Sequence, residues 1–165
     1  MDNLFQMLIY SVIIGVGATI FMDLYAIFIK RFFNIPSLDF AIVGRWVGHF
    51  KNGIFTHKNI LQSEKIKGER AIGWLSHYLI GVSFAFLLLL ICGIDWVKNP
   101  TFWPCIVIGL ATTIAPWFLM QPSFGFGIAA SKTPNPNLSR LRSLQAHFVY
   151  GLGLYVAAFL LSFWF

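Results

Sequence analysis

An all-α membrane fold is predicted for this 165-residue chain: four transmembrane helices arranged as two parallel hairpin repeats, with a cytoplasmic interfacial helix added to the first. Three observations predict it. Four apolar segments, Leu4–Ile29, Ala71–Ile94, Thr101–Gln121 and Ser143–Phe165, each approach the ~20 residues needed to cross ~30 Å of hydrocarbon at ~1.5 Å per residue. Charge is scarce, at 11% of residues, and mean hydropathy is +0.73. Finally, the first segment echoes the third and the second echoes the fourth. Ile14-Gly15-Val16-Gly17-Ala18-Thr19-Ile20 returns as Ile108-Gly109-Leu110-Ala111-Thr112-Thr113-Ile114, and His77-Tyr78-Leu79-Ile80-Gly81-Val82 as His147-Phe148-Val149-Tyr150-Gly151-Leu152. Four spans leave little chain for a soluble domain, so residues 1–165 read as one membrane domain. The first hairpin with its long loop occupies 1–94 and the second 101–165. Repeats that run the same way imply a pseudo-two-fold axis along the membrane normal.

The first span starts without a basic n-region, at Met1-Asp2-Asn3, and continues past Asp23 to Lys30-Arg31, which reads as an uncleaved helix rather than a signal peptide. On it Ser11, Gly15, Thr19 and Asp23 recur every four residues, and Cys105, Gly109 and Thr113 repeat the spacing on the third span. Small residues at this interval allow close helix approach, so Gly15, Gly81, Gly109 and Gly151 are expected at packing crossings. Between the first two spans, Pro36-Ser37 opens a short helix with Phe40, Val43, Val47 and Phe50 on one face and Arg45 and His49 on the other, and Asn52-Gly53 closes it. With Trp46 at headgroup level, this is the expected interfacial helix. In the third span Pro116 removes an amide donor and is expected to kink the helix. The glycine-rich Gln121–Ser131 stretch either follows the surface or folds back where its backbone is covered. Lys132–Asn137 forms a rigid turn, and Ser139 is the expected cap of the last helix. Cys92 and Cys105 lack metal-ligand spacing and read as free thiols.

Charge placement sets orientation. Lys30, Arg31, Arg45, Lys51, Lys58, Lys65, Lys67 and Arg70 fall between spans one and two, Lys132, Arg140 and Arg142 between three and four, and Lys98 alone on the other side. Positive loops stay cytoplasmic, which puts both termini on the non-cytoplasmic side. The net charge of +6 therefore marks topology rather than nucleic-acid binding.

The ionisable residues within the spans carry the functional expectation. Asp23 lies seven residues before Lys30, His77 seven after Arg70 and His147 five after Arg142, which gives depths of ~8–10 Å from the cytoplasmic side. An unpaired carboxylate at such depth is costly, so Asp23 is expected to converge with His77, His147, Gln121, Thr19 or Arg142 in a polar intramembrane site. Such a site suits a small ligand, ion or proton. A metal held by Asp23, His77 and His147 is a weaker alternative, and no cofactor is indicated. Arg45, Lys51, Arg70, Lys132 and Arg142 are candidate contacts for lipid headgroups or other anions, and a homo-oligomer would suit four helices that enclose little polar volume. Two other readings are a membrane enzyme acting on an amphipathic substrate and an interaction subunit of a membrane complex. The sequence contains neither a Walker A loop nor a dinucleotide fingerprint.

Several stretches together carry a family resemblance: Ala18-Thr19-Ile20-Phe21-Met22-Asp23, Gly44-Arg45-Trp46-Val47-Gly48-His49, Gly68-Glu69-Arg70-Ala71-Ile72-Gly73-Trp74 with His77-Tyr78, and Met120-Gln121-Pro122 followed by Ala130-Ser131-Lys132-Thr133-Pro134-Asn135-Pro136. Across nearly its whole length the chain resembles a bacterial membrane-protein family known as domain of unknown function 2938, whose members are small multi-pass proteins. The resemblance implies a shared membrane location and architecture, and transfers no activity.

Overall fold

The computed structural model describes residues 3–165, so the Met1-Asp2 start of the leader reading lies outside it. The described residues are helical without strands, and four helices are long and apolar enough to cross a membrane, an architecture compatible with a multi-pass membrane protein. They are α1 (Asn3–Phe33), α3 (Glu69–Cys92), α4 (Phe102–Ser123) and α5 (Pro136–Ser162), and the short α2 (Phe40–His49) stands between the first two. Their outward faces carry Ile27, Phe28, Leu79, Leu90, Val107, Ile114 and Leu160, each largely exposed. Apolar side chains all round a helix are what lipid rather than water tolerates.

The chain divides into two compact units. The first takes the chain through Ser37, Tyr78–Thr112 and Ala146–Phe165. Its core joins Ile14 and Ala18 of α1, Leu88 of α3, Cys105 of α4 and Leu154 and Ala158 of α5. Two glycine crossings bring these helices together. A β-carbon on Gly15 would lie 2.6 Å from Val82 Cα, and one on Gly109 would lie 2.7 Å from Gly151 Cα. Gly15 and Gly109 are the echoed residues of spans one and three, and their partners Gly81-Val82 and Gly151 are echoed on spans two and four. The back-bonds match as well: Ser11 Oγ donates to Met7 O at 2.7 Å, and Cys105 Sγ to Thr101 O at 3.6 Å. Cys92 and Cys105 are free thiols. α1 stops where Asn34 takes a left-handed conformation at φ 54° and donates its N–H to Lys30 O, with Pro36 just beyond.

The second unit takes Leu38–His77 and Thr113–Gln145. Asp39 caps α2 by accepting from the Ala41 N–H at 3.0 Å, and Gly53 ends the following 3₁₀ turn at φ 70°. α2 crosses the start of α3 through Gly44 and Gly73, where added β-carbons would meet the Glu69 and Phe40 carbonyls. Val43, Ile60 and Phe124 form a small buried core. The disturbance expected at Pro116 is a π turn over Pro116–Met120, in which Gln121 N–H reaches back to Pro116 O. The glycine-rich stretch beyond it is covered: His57 N–H donates to Ser123 O at 2.8 Å and Ile60 N–H to Phe124 O at 3.0 Å.

Two expectations are corrected. α5 begins at Pro136, so Ser139 sits inside its first turn with its hydroxyl on Asn135 O rather than capping it. Pro36-Ser37 does not open α2, which begins at Phe40 under the Asp39 cap, and Arg45 and His49 opposite its apolar face are both buried within this unit.

Candidate functional site

The polar groups of the first unit are held one by one on their helices. Tyr78 Oη donates to the Asp23 carboxylate at 3.0 Å, linking α3 to α1. Thr19 is fully buried and donates to Gly15 O at 2.7 Å. The His147 Nδ1 lies 2.9 Å from Thr112 Oγ1 and 3.3 Å from Gly109 O, and the Thr112 hydroxyl itself donates to Gly109 O at 2.7 Å. Tyr150 Oη donates to Gly81 O at 2.6 Å. Asp23, Thr19 and His147 thus belong to one unit, with Tyr78 as a carboxylate partner that depth counting overlooked. Its signal was available, since Tyr78 follows His77 directly and shares its level on α3.

His77 and Gln121 belong to the second unit. The His77 ring stacks on Phe40 at 4.0 Å between centroids. Gln121 is buried and donates through Nε2 to Ser143 Oγ at 3.4 Å. Among the described residues no three His, Cys, Asp or Glu side chains come together in a way that could hold a metal ion, so the alternative built on Asp23, His77 and His147 has no such grouping behind it.

The arginine expected to reach lipid headgroups has a different role. Arg45 makes a bidentate pair with Glu69, Nε to Oε2 and Nη2 to Oε1 both at 2.9 Å, and turns Nη1 to the carbonyls of Ile60 at 3.0 Å and Ser63 at 3.4 Å. The hydrogen bond to Glu69 raises the Arg45 pKa further above its already high value. Nearby, His49 Nδ1 lies 3.3 Å from His57 Nε2, and burial first, then the charges of His49 and Arg45, lower the His57 pKa. Lys51, Arg70, Lys132 and Arg142 are exposed, and Lys132 borders an open recess with Pro122, Gly125, Gly127, Ile128 and Ser131. Behind that recess Ala129 and Ala130 both adopt positive φ, 47° and 59°, a costly conformation for alanine. Arg140 Nε and Thr133 Oγ1 hold it by donating to their carbonyls.

The segments that build these features run from the first span to the last, and residues 12–161 match the family described as Protein of unknown function (DUF2938). The chain belongs to that family. Comparison with curated proteins and with solved structures gives no match. The match covers both units, so Asp23, Arg45, Glu69, Tyr78 and His147 all lie within the family's extent.

Proposed function

We propose that this DUF2938 member binds or transports a small ligand, ion or proton at a polar intramembrane site centred on Asp23, on the cytoplasmic side of an inner-membrane protein whose termini both lie outside. The observation that carries this reading is the Asp23–Tyr78 hydrogen bond, because it keeps an ionisable carboxyl within an apolar span. Carboxyl groups are expensive in hydrocarbon and typically mark ion or proton routes there. A carboxylate carries about four lone-pair sites, so accepting a phenol hydrogen bond is compatible with meeting a cation, a proton or a polar ligand as well. Within the same unit, His147 would tune the charge of this site and Thr19 would be a neutral member. Exposed Lys51, Arg70, Lys132 and Arg142 would meet lipid headgroups at the surface, and a second copy of the chain would widen the polar interior.

Proteoliposomes loaded with a pH-sensitive dye test the proton form of this reading. A potassium diffusion potential should drive proton entry above that of protein-free vesicles, Asp23→Asn should abolish it, and Tyr78→Phe should lower it. Flux equal to empty vesicles would reject proton transport. Reporter fusions after Phe165 and within the Lys51–Lys67 loop test orientation, and a cytoplasmic C-terminal reporter would reject it.

A further inference from the structure

The second unit holds three buried polar atoms that lack a hydrogen-bond partner among the described residues: Thr113 Oγ1, Trp117 Nε1 and Gln121 Oε1. Thr113 is 2% exposed and Gln121 9%, so neither can turn to bulk solvent. All three belong to α4, at intervals of four. In an unbroken α-helix, residues eight apart diverge by about 80° around the axis. The π turn between Trp117 and Gln121 takes up one extra residue, which rotates Gln121 back by roughly 100° and leaves it within about 20° of Thr113. The disturbance at Pro116 therefore turns three scattered polar side chains into one line about 12 Å long, running from mid-helix to the end of the span.

Native proteins seldom leave such atoms unpaired, because each forfeits its hydrogen bonds to water without replacement. Three on one helix face, at a π turn, point to an occupant that supplies the missing bonds. The chemistry on offer is a hydroxyl that donates or accepts, an indole N–H that donates, and an amide oxygen that accepts. If the Gln121 amide is rotated, Nε2 becomes the unpaired atom and Ser143 Oγ donates to Oε1, so the line still presents neutral groups only. A charged ligand would find no formal countercharge among them and would bear its desolvation unaided.

We infer that the Thr113–Trp117–Gln121 face of α4 is a binding site for neutral hydroxyl-bearing molecules, either water or a small polyol, which donate to Gln121, accept from Trp117 and do either with Thr113. The inference does not depend on the role of Asp23.

The test uses full-length protein in nanodiscs with nitrogen-15-labelled tryptophan. Of six indole N–H signals, the one lost in Trp117→Phe belongs to Trp117. Should that variant misfold, the signal perturbed in both Thr113→Val and Gln121→Leu assigns it instead. An exchange cross-peak between this indole and water is expected. A saturable shift on adding glycerol, weakened several-fold in Thr113→Val, would identify a polyol site. A water cross-peak without that shift would make water the occupant. Absence of both responses would overturn the inference and leave a dry helix face, and a saturable shift with inorganic phosphate but not glycerol would overturn its neutrality. Proton flux through Asp23 is read separately, so either proposal can fail alone.

Discussion

The two units of this molecule solve the same problem, how to satisfy backbone and polar groups out of bulk water, by opposite means. In the first, chain direction rarely leaves the helix, so backbone groups are paired internally and cohesion comes from close approach at Gly15 and Gly109. Its hydroxyls mostly return to their own helix, as Ser11 does to Met7 and Thr19 to Gly15. In the second, the chain wanders through residues 50–68 and 124–135, and carbonyls freed from regular helix need donors from elsewhere. One guanidinium answers for Ile60, Ser63 and Glu69 together. Glycine crossings serve both units, at Gly15 and Gly109 in the first and at Gly44 and Gly73 in the second, and are insensitive to charge, whereas a network built on one cation concentrates the second unit's dependence there.

That contrast predicts its largest effect at Arg45. Arg45→Met would leave the Glu69 carboxylate enclosed without its cationic partner and remove a donor from the Ile60 and Ser63 carbonyls, although Ile60 O keeps its bond from the Ser63 hydroxyl, and losing one member of such a pair costs about 3–5 kcal/mol. Thermal unfolding in detergent should fall accordingly, with proteolysis within residues 53–68 rising before helix content is lost. Equal melting of both units in that variant would break the contrast.

Next come the glycine crossings. Gly15→Leu and Gly109→Leu each force a side chain against backbone on the neighbouring helix, an overpacking worth about 1–3 kcal/mol. If the hairpins are repeats in packing as well as in sequence, the two variants should unfold at similar denaturant concentrations in mixed micelles. A large loss in one and none in the other would confine the repeat to the sequence.

A smaller change is expected at Tyr150. Its phenol crosses from α5 to the Gly81 carbonyl, and Tyr150→Phe removes that one neutral hydrogen bond at a cost of about 1 kcal/mol. The cost stays low because the apolar ring is retained in the core. Unfolding by denaturant in micelles measures it, and a loss comparable with the glycine variants would mean the phenol, not the glycines, sets the crossing.

The repeated crossings were readable because small residues at a four-residue interval have few uses in an apolar helix, and the echo doubled the signal. Hydropathy, by contrast, reports where a helix becomes apolar rather than where it starts. α5 therefore begins at Pro136, while its apolar stretch opens near Ser143. The Arg45–Glu69 pair was illegible, since the partners stand 24 residues apart across an irregular loop and an arginine opposite an apolar helix face reads as solvent-exposed. Asp23 was half legible: its depth and the level of Tyr78 on α3 follow from residue counts, but the choice of Tyr78 over His77 as donor depends on how α3 is rotated. Comparing Thr19 with its counterpart Thr113 shows the rest. Both are threonines four residues after a packing glycine, yet Thr19 bonds Gly15 O while Gly109 O is taken by Thr112. Residue type states what a group can bond, and only geometry states whether it does.

The finest test of the contrast is acid, because the second unit contains a titratable contact of its own. A histidine pair such as His49 and His57 holds its hydrogen bond only while one ring offers a lone pair. Burial foremost, and then His49 and Arg45, depress the His57 pKa below its ordinary value of 6.5, so the folded chain favours the neutral ring. Well above that value both folded and unfolded chains leave His57 unprotonated, and its contribution is fully present. As pH falls through the unfolded value, the unfolded chain takes up the proton first, and stability declines until the folded pKa has also been passed. Unfolding midpoints measured from about pH 7 down to about pH 5 should therefore drop, and His57→Gln should flatten that drop while leaving the neutral-pH midpoint nearly unchanged. Greater stability in acid, or identical profiles for the two proteins, would remove the histidine pair from the network that distinguishes this unit.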